Sequence, residues 1–230
     1  MRERGVPKTE YYTFSNISEQ SQVFANQLLY QRGKHKNQKV LPRNVALLVI
    51  DMQGFFHNPD YHAFVPSMSA IIPGVKRLQE YFLAHNMPVF HTRHANTLLD
   101  SKQMLTWWGV INKSTNSLVN IIPEITNSGA IIIKKTQYDA FWRTNLEELL
   151  LSKNIKQVII TGVMTHLCCE TTARAAFTRG FEVFFTIDGT ATYNPEFHFG
   201  TLYNLAHGFA RPVLIDEIIL ESQSAANDYL

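Results

Sequence analysis

Short runs of apolar residues alternate along the chain with segments whose apolar positions recur at helical spacing. Runs of this length that are rich in Val, Ile and Phe predict strands. The predicted strands are 45–51, 88–93, 130–134, 157–162, 182–188 and 212–216. The predicted helices are 19–31, 73–85, 146–153, 169–179 and 196–208. Pro73 and Pro195 are expected in the first turn of their helices, where proline is well tolerated.

The strand runs are apolar throughout and do not alternate with polar residues. Such runs are typical of parallel strands whose two faces are both covered by helices. Strands that alternate with helices predict βαβ units. The expected fold is therefore α/β: a three-layer α/β/α domain around a mainly parallel, Rossmann-like sheet of six strands. In this kind of sheet, ligands bind beyond the carboxyl ends of the strands.

The predicted elements divide the chain into three parts. Residues 44–220 form the expected α/β domain, and 221–230 a short C-terminal tail. Residues 1–43 are mostly polar, with an amphipathic patch at 23–30 and the basic run Arg32-Gly-Lys-His-Lys36. We interpret this part as an arm that packs on the domain or on a neighbouring subunit.

Composition excludes several classes of function. The formal net charge is +2 and 17% of the residues are charged, so a nucleic-acid partner is not expected. The chain has no run of eighteen apolar residues and no signal-peptide core after its basic start, so neither a membrane partner nor export is expected. Its 2 cysteines are adjacent and offer no disulfide framework, which favours a cytoplasmic location.

Three reactive side chains fall at predicted strand ends. Asp51 ends the first strand, Lys135 follows the third, and Cys168 lies where the fourth strand turns into a helix. The positive end of a helix dipole lowers a thiol pKa, so this position favours a thiolate at Cys168. An ordinary cysteine is mostly protonated at neutral pH, and it needs a base and a cation to become a nucleophile. Asp51 is the candidate base and Lys135 the candidate cation.

Each of these residues also has a structural interpretation. Cys168 could be a small buried apolar residue, which is the interpretation we adopt for Cys169. Asp51 could cap a turn. Lys135 could be a solvated strand end, with Lys134 facing the site instead, although side-chain alternation favours Lys135.

Four motifs carry a family resemblance. They are Ile50-Asp-Met-Gln53, Lys135-Thr-Gln-Tyr-Asp-Ala-Phe141, Gly162-Val-Met-Thr-His-Leu-Cys-Cys-Glu-Thr-Thr-Ala173 and Phe185-Thr-Ile-Asp-Gly-Thr-Ala191. In this order and spacing the chain resembles the isochorismatase-like superfamily, which includes isochorismatases and many cysteine amidohydrolases. The resemblance identifies the superfamily and leaves the substrate open.

The resemblance implies roles for particular residues. It makes Asp51 the proton acceptor, Lys135 the electrostatic partner and Cys168 the nucleophile. It also implies a cis peptide between Val163 and Met164, and an oxyanion hole formed by the backbone N–H groups of Met164 and Cys168. A homo-oligomer, a dimer or tetramer, is expected by analogy.

The superfamily contains two kinds of chemistry, and the sequence favours one. Isochorismatases typically lack the nucleophilic cysteine, whereas this chain has Cys168, and its Thr92-Arg-His94 is more similar to the amidohydrolases. We therefore expect hydrolysis of a C–N bond in a small amide or N-carbamoyl compound through a Cys168 thioester. One alternative is vinyl-ether hydrolysis of isochorismate with Asp51 as acid and no covalent step. A second is a non-catalytic binding or regulatory protein on the same fold.

The resemblance also raises the question of a metal ion. The nicotinamidase branch holds a divalent ion through an Asp-x-His pair and further histidines, and the corresponding stretch here reads His94-Ala-Asn96. Asp60, His62 and His57 follow Asp51 too closely to replace that pair. We expect no metal and no other cofactor.

Several further residues are candidates for the substrate pocket, because they flank the motifs and offer aromatic walls or polar contacts. Arg93 and His94 stand at a strand end, where a cation would meet a substrate carboxylate. The candidates are Gln53, Phe55, Arg93, His94, Trp108, Tyr138, Phe141, Thr165 and His166.

Overall fold

A computed structural model describes residues 6–35 and 37–227 of the protein. Its centre is a 6-stranded sheet with the strand order β3-β2-β1-β4-β5-β6, and every neighbouring pair is parallel. The strands are β1 (Val45–Ile50), β2 (Val89–His94), β3 (Ile131–Lys135), β4 (Gln157–Val163), β5 (Glu182–Ala191) and β6 (Arg211–Val213). The fold predicted from the alternation of strands and helices is confirmed.

Nine helices surround this sheet within the described ranges. They are α1 (Ile17–Gln27), α2 (Leu29–Lys34), α3 (Gly54–His57), α4 (Met68–Ala84), α5 (Gln103–Trp108), α6 (Leu146–Ser152), α7 (Glu170–Thr178), α8 (Pro195–Gly208) and α9 (Ile215–Asn227). The strand order runs outward in both directions from β1, and right-handed crossovers then place the connecting helices on opposite faces of the sheet. None of these helices is long and apolar enough to cross a membrane.

Three predicted elements differ from the structure. The predicted helix 19–31 is two helices, α1 and α2, which are separated at Leu28. Pro73 lies inside α4 and not in its first turn, because the apolar helix face continues back to Met68. The last strand is shorter than the predicted 212–216: β6 ends at Val213 and α9 already begins at Ile215. The start of α9 is fixed by a local hydrogen bond, since the backbone N–H of Leu214 donates to the Glu217 carboxylate at 2.9 Å.

The sheet is buried most deeply at β1. This strand lies at the centre of the sheet, where the strand order changes direction between β1 and β4. All of its residues are buried, because β2 and β4 flank it and helices cover it. In a strand that is buried on both faces, every side chain points into the protein interior. This burial explains the unbroken apolar run before Asp51. The first polar side chain after this run therefore appears at the carboxyl edge of the sheet.

The N-terminal arm packs against its own domain. The rings of Tyr11 and Tyr12 are buried, and both backbone N–H groups donate to the Ser67 hydroxyl at 3.0 Å. The ammonium of Lys8 donates to the carbonyl of His62 at 2.6 Å. Residues 1–5 and Lys36 of the arm, and 228–230 of the tail, lie outside the described residues. At the other end of the chain, α9 continues through residue 220 into the segment expected to be a tail.

Gly162 brings β4 close to the end of β1. Its φ is +107°, and a Cβ at this position would lie 2.1 Å from the carbonyl oxygen of Ile50. Contacts of that length do not occur, so no other residue fits without moving a strand. Because Ile50 directly precedes Asp51, this close approach also determines where Asp51 lies.

We expect Gly162→Ala to lower the free energy of unfolding by about 3 kcal/mol or more, since it combines an unfavourable φ with a backbone clash. Gly180→Ala is the matched control, because Gly180 also has a positive φ, +86°, but nothing lies within 4 Å of its added Cβ. Urea unfolding followed by circular dichroism measures both. Equal losses in the two variants would contradict the role of the close approach.

Candidate active site

The three predicted reactive residues meet at the carboxyl edge of the sheet. Asp51 directly follows β1 and has a left-handed backbone, with φ of 49°. Lys135 is the last residue of β3. Cys168 lies in a single π-helical turn, Thr165–Cys169, between β4 and α7. The strand order therefore places the lysine on one side of Asp51 and the cysteine on the other.

The ammonium of Lys135 lies between the carboxylate and the thiol. Its Nζ is 2.7 Å from Asp51 Oδ2 and 3.2 Å from Cys168 Sγ. It also donates to the carbonyl of Gln137 at 2.9 Å. The side chains of Lys135 and Asp51 are both 0% exposed, so this is an ion pair in a site without bulk water.

The two oxygens of Asp51 have different surroundings. Oδ1 accepts a hydrogen bond from the Thr92 hydroxyl at 2.6 Å, and the same hydroxyl oxygen accepts from the Asp51 backbone N–H at 3.0 Å. Within the part of the chain that the structure describes, Oδ2 has no hydrogen bond of ordinary geometry besides its ion pair with Lys135. This oxygen therefore keeps a lone pair that can accept a proton from the neighbouring thiol.

Burial dominates the protonation of the site. Burial raises the pKa of the Cys168 thiol, the positive charge of Lys135 lowers it, and the negative charge of Asp51 raises it; the net direction is upward. The pKa of Lys135 is lowered by burial but raised by Asp51 and Cys168, with a net rise that keeps the ammonium charged. The thiol is thus protonated near pH 7. This direction is opposite to the one expected from the helix position alone, because burial and the adjacent carboxylate outweigh the helix dipole.

The loop that carries Cys168 has an unusual backbone. The Val163–Met164 peptide bond, where the resemblance implied a cis geometry, is cis. The carbonyl of Met164 accepts hydrogen bonds from two backbone N–H groups, those of Leu167 at 3.1 Å and Cys169 at 3.2 Å. These bonds close the turn tightly and hold Cys168 at the point where β4 ends.

His94 also reaches this cluster. It is the last residue of β2, and its Nδ1 lies 3.9 Å from Cys168 Sγ. Burial lowers the pKa of His94 to about 4, with Lys135 as the next cause. His94 is therefore neutral near pH 7, and the expectation that it could act as a cation for a substrate carboxylate does not hold.

A divalent metal ion does not fit this cluster well. Asp51, His94 and Cys168 offer ligand atoms that all lie within 4.8 Å of one another. However, the Lys135 ammonium already lies 2.7 Å from the Asp51 carboxylate. A divalent ion would add positive charge beside this ammonium and would use the thiol as a ligand. The donor set therefore matches an internal cation, the ammonium of Lys135, better than a metal.

A cavity of about 500 Å³, part of it open to solvent, leads to Cys168. Three of the predicted pocket residues line it together with Met164 and Cys168: His94, Trp108 and Tyr138. The indole N–H of Trp108 donates to the Tyr138 hydroxyl at 2.7 Å, which joins two of these walls. The other lining residues are Phe56, His62, Ala63, Asn96, Met104, Val110, Ile111, Asn112, Leu167 and Tyr193.

Three other predicted pocket residues do not line this cavity. The amide of Gln53 is fully occupied by backbone, because it accepts from the His94 N–H at 2.8 Å and donates to the His94 carbonyl at 3.0 Å. Phe55 is fully buried and packs against Tyr61. Arg93 alternates with His94 along β2 and takes the opposite face of the sheet.

The remaining three predicted pocket residues have partners in the protein interior. Phe141 stacks on Phe181 with ring centroids 6.0 Å apart. The hydroxyl of Thr165 is hydrogen-bonded to His198 at 3.1 Å. His166 is hydrogen-bonded to Thr192 and stacks on Phe197. All three therefore support the walls of the site and do not form its surface.

Most of the cavity wall was not predicted from the sequence. Val110, Ile111 and Asn112 belong to a loop without regular secondary structure, so no periodic pattern marked them. Asn96 and Tyr193 each follow a strand end, at two residues beyond β2 and β5. Their distance from a strand end is the signal that could have identified them.

Comparisons with known proteins identify the family. The isochorismatase domain matches residues 45–217, so the chain belongs to the isochorismatase family of hydrolases, as its motifs predicted. Nicotinamidase 3 of Arabidopsis thaliana is 39% identical over 193 residues, which cover 81% of this chain and 91% of that protein. Enterobactin synthase component B of Escherichia coli (strain K12) is 30% identical over 181 residues, or 77% of this chain and 63% of that protein.

A solved structure supports the fold independently. The crystal structure of a cysteine hydrolase from Pseudomonas syringae pv. phaseolicola superposes with a TM-score of 0.78 at 24% identity. The match covers 82% of this chain and 96% of that one. The architecture of the sheet is therefore shared.

We expect alkylation of Cys168 by iodoacetamide to be slow at neutral pH and to accelerate as the pH rises, because its thiol pKa is raised. Asp51→Asn removes a charge that raises this pKa and should move the profile to lower pH. Lys135→Met removes a charge that lowers it and should move the profile to higher pH. Peptide mass spectrometry measures the alkylation rate of Cys168 in the wild type and in each variant, with the buried Cys169 as internal reference. Shifts of the same sign in both variants would contradict the assigned electrostatics.

Proposed function

We propose that this protein is a cysteine amidohydrolase that cleaves the C–N bond of a small, uncharged carboxamide or N-carbamoyl compound through a Cys168 thioester. The observation that carries the proposal is the buried ammonium of Lys135, 2.7 Å from the Asp51 carboxylate and 3.2 Å from the Cys168 sulfur. A base and a cation at these distances supply what a protonated thiol needs to become a nucleophile.

Acylation begins with proton transfer within this cluster. Asp51 Oδ2 accepts the thiol proton as Cys168 Sγ attacks the carbonyl carbon, and the Lys135 ammonium stabilises the charge on sulfur. Because the thiol is protonated in the free enzyme, proton transfer and attack occur together. The tetrahedral oxyanion is held by the backbone N–H groups of Met164 and Cys168. When the C–N bond breaks, Asp51 returns the proton to the leaving nitrogen and a thioester remains.

The cavity favours a neutral substrate over an acidic one. Its lining, among the residues that the structure describes, contains no Lys or Arg. Isochorismate carries two carboxylates, which would enter this cavity without a cationic partner, and burying an unpaired charge is costly. A small amide has no such cost, and the walls formed by Phe56, Met104 and Trp108 suit a flat apolar group.

Asn112 offers a specific polar contact to the substrate. Its side-chain oxygen is buried and has no hydrogen-bond partner among the described residues, although Asn112 lines the cavity. A buried acceptor without a donor is unfavourable, so a ligand that supplies an N–H or O–H would be stabilised here. The relative with 39% identity is by name a nicotinamidase, which is consistent with an amide of a small aromatic acid.

The second candidate function is isochorismate hydrolysis without a covalent step, with Asp51 as the acid. It is favoured by the match of residues 45–217 to the isochorismatase domain. The two candidates differ in whether Cys168 is required, because vinyl-ether hydrolysis by protonation needs no nucleophilic sulfur.

We expect Cys168→Ala to reduce release of ammonia from nicotinamide or benzamide by at least about a thousandfold, because it removes the nucleophile. Cys169→Ala is the matched control and should keep most of the activity, since Cys169 is buried in the core beside the site. A coupled ammonia assay measures both. If Cys168→Ala retains turnover of isochorismate, the second candidate is correct. If the wild type turns over neither amides nor isochorismate, the chain is a binding protein.

We expect kcat/KM for benzamide to exceed that for 4-carbamoylbenzoate by at least about tenfold, the ratio that about 1.4 kcal/mol produces. The two compounds differ by one carboxylate, and the described residues that line the cavity include no Lys or Arg to pair with it. Val110→Arg places a cation on a partly exposed part of the wall and should reduce this preference. A preference of the wild type for the carboxylate would contradict a neutral pocket.

A further inference from the structure

We propose that His94 is a further catalytic residue: its Nδ1 accepts the proton of the water that hydrolyses the acyl group on Cys168. This inference rests on the proposed thioester mechanism and assigns its second half to a base other than Asp51. It is carried by the hydrogen-bond network around the imidazole and by the position of the ring in the cavity wall.

The network determines which nitrogen of His94 carries the proton. The side-chain nitrogen of Asn96 donates to two acceptors, the Thr136 carbonyl at 2.9 Å and the Asp100 carboxylate at 3.1 Å. These two acceptors fix the orientation of the Asn96 amide, so its oxygen faces His94 Nε2 at 3.0 Å. An amide oxygen can only accept, and Nε2 must therefore carry the hydrogen. Nδ1 is left with a lone pair.

That lone pair faces the reacting sulfur. Nδ1 of His94 lies 3.9 Å from Cys168 Sγ. In the thioester the carbonyl carbon is bonded to this sulfur, so a water that contacts Nδ1 also lies within reach of the carbon. Such a water would be held by one strong acceptor on the side from which it attacks.

Position distinguishes His94 from Asp51. Both side chains offer an acceptor near Cys168, but Asp51 is 0% exposed and is not among the described residues that line the cavity, whereas His94 lines it. The water for deacylation enters through the cavity after the amine has left. His94 is thus the base that this water meets.

The charges around His94 suit a neutral base. Burial, followed by Lys135, lowers the pKa of His94 to about 4, while Asp51, Asn96 and Asp100 act in the opposite direction. The imidazole is therefore uncharged throughout the neutral range, so the lone pair of Nδ1 is free when the water arrives. The proton it takes up is then stabilised by the nearby carboxylate of Asp51.

The step balances without any further reactant. Nδ1 of His94 takes a proton from water as the water oxygen bonds to the thioester carbon. The C–S bond then breaks, and the Lys135 ammonium stabilises the departing thiolate. The imidazolium returns its proton to Cys168 Sγ, and the product leaves as a carboxylic acid that ionises in solution. The enzyme is restored with a neutral His94 and a protonated thiol.

Pre-steady-state kinetics with p-nitrophenyl acetate separate the two half-reactions. Acylation of Cys168 releases p-nitrophenolate in a burst, and the steady rate that follows reports hydrolysis of the acetyl-enzyme. We expect His94→Gln to keep the burst and to lower the steady rate by at least about a hundredfold. Intact-protein mass spectrometry should then show an acetyl group that persists on Cys168.

Two further variants complete the design. His57→Gln removes a histidine that is hydrogen-bonded to Ser69 outside the cavity and should leave both phases within about twofold of the wild type. Asn96→Leu removes the acceptor that fixes the His94 tautomer and should slow only the steady phase, by a smaller factor than His94→Gln. The backbone of His94 is held by Gln53, so the substitution at His94 should fold, which circular dichroism checks.

The outcomes separate this inference from the proposed function. An unchanged steady rate in His94→Gln, or loss of its burst while the wild type keeps one, would overturn the assignment of His94 to deacylation. Release of p-nitrophenolate by Cys168→Ala at the wild-type rate, with no acetyl group on Cys168 in either the wild type or His94→Gln, would instead refute the thioester mechanism itself. A normal burst followed by slow release in both His94→Gln and Asn96→Leu supports the inference.

Discussion

The ammonium of Lys135 is the interaction on which the site depends. It is enclosed without exposure to solvent and lies between the Asp51 carboxylate and the Cys168 sulfur. Removing two charges from water costs several kcal/mol per ion, and the attraction between them compensates only when geometry and hydrogen bonds are good. Here the sheet provides that geometry, because the ends of β1 and β3 place the two groups 2.7 Å apart.

The same burial that makes the ion pair strong keeps the thiol protonated. A thiolate stored permanently beside Asp51 would add a second negative charge to a site with one cation. The arrangement instead keeps the proton on sulfur and a base next to it. In the proposed mechanism, negative charge then appears on sulfur only during attack on the substrate. The proposed role of His94 in the second half-reaction follows the same principle, because a neutral base brings no charge that the cavity would have to stabilise.

The N-terminal arm contributes to the cavity through its walls. Lys8 donates to the carbonyls of His62 and Phe64, and the Thr9 N–H donates to the Tyr193 carbonyl at 2.7 Å. His62 and Tyr193 line the cavity on segments that are far apart in the sequence. The arm connects these two walls, so a part of the chain that precedes the family domain helps to shape the cavity that leads to Cys168.

Local sequence patterns were sufficient to predict the strands and the residues that directly follow them. The apolar runs predicted β1 to β5, and the residues that end them, Asp51 and Lys135, were predicted to meet because parallel strands end at one edge. Helix boundaries were less predictable: Pro73 lies inside α4 since tertiary packing of the apolar face extends the helix beyond its proline. The cavity wall was the least predictable part, because the loop at 110–112 has no period that links it to a strand.

The sequence by itself determined the fold, the family and the three residues of the reactive cluster, since each follows from a local pattern or a motif. The tertiary structure decided the direction of the Cys168 pKa shift, because burial and the Asp51 charge act through space and not along the chain. The tertiary structure also determined that Gln53 forms hydrogen bonds with the backbone of His94, and that Asn96 orients the imidazole ring of His94. Such roles depend on the partners of a side chain, and these are set only when distant strands come together.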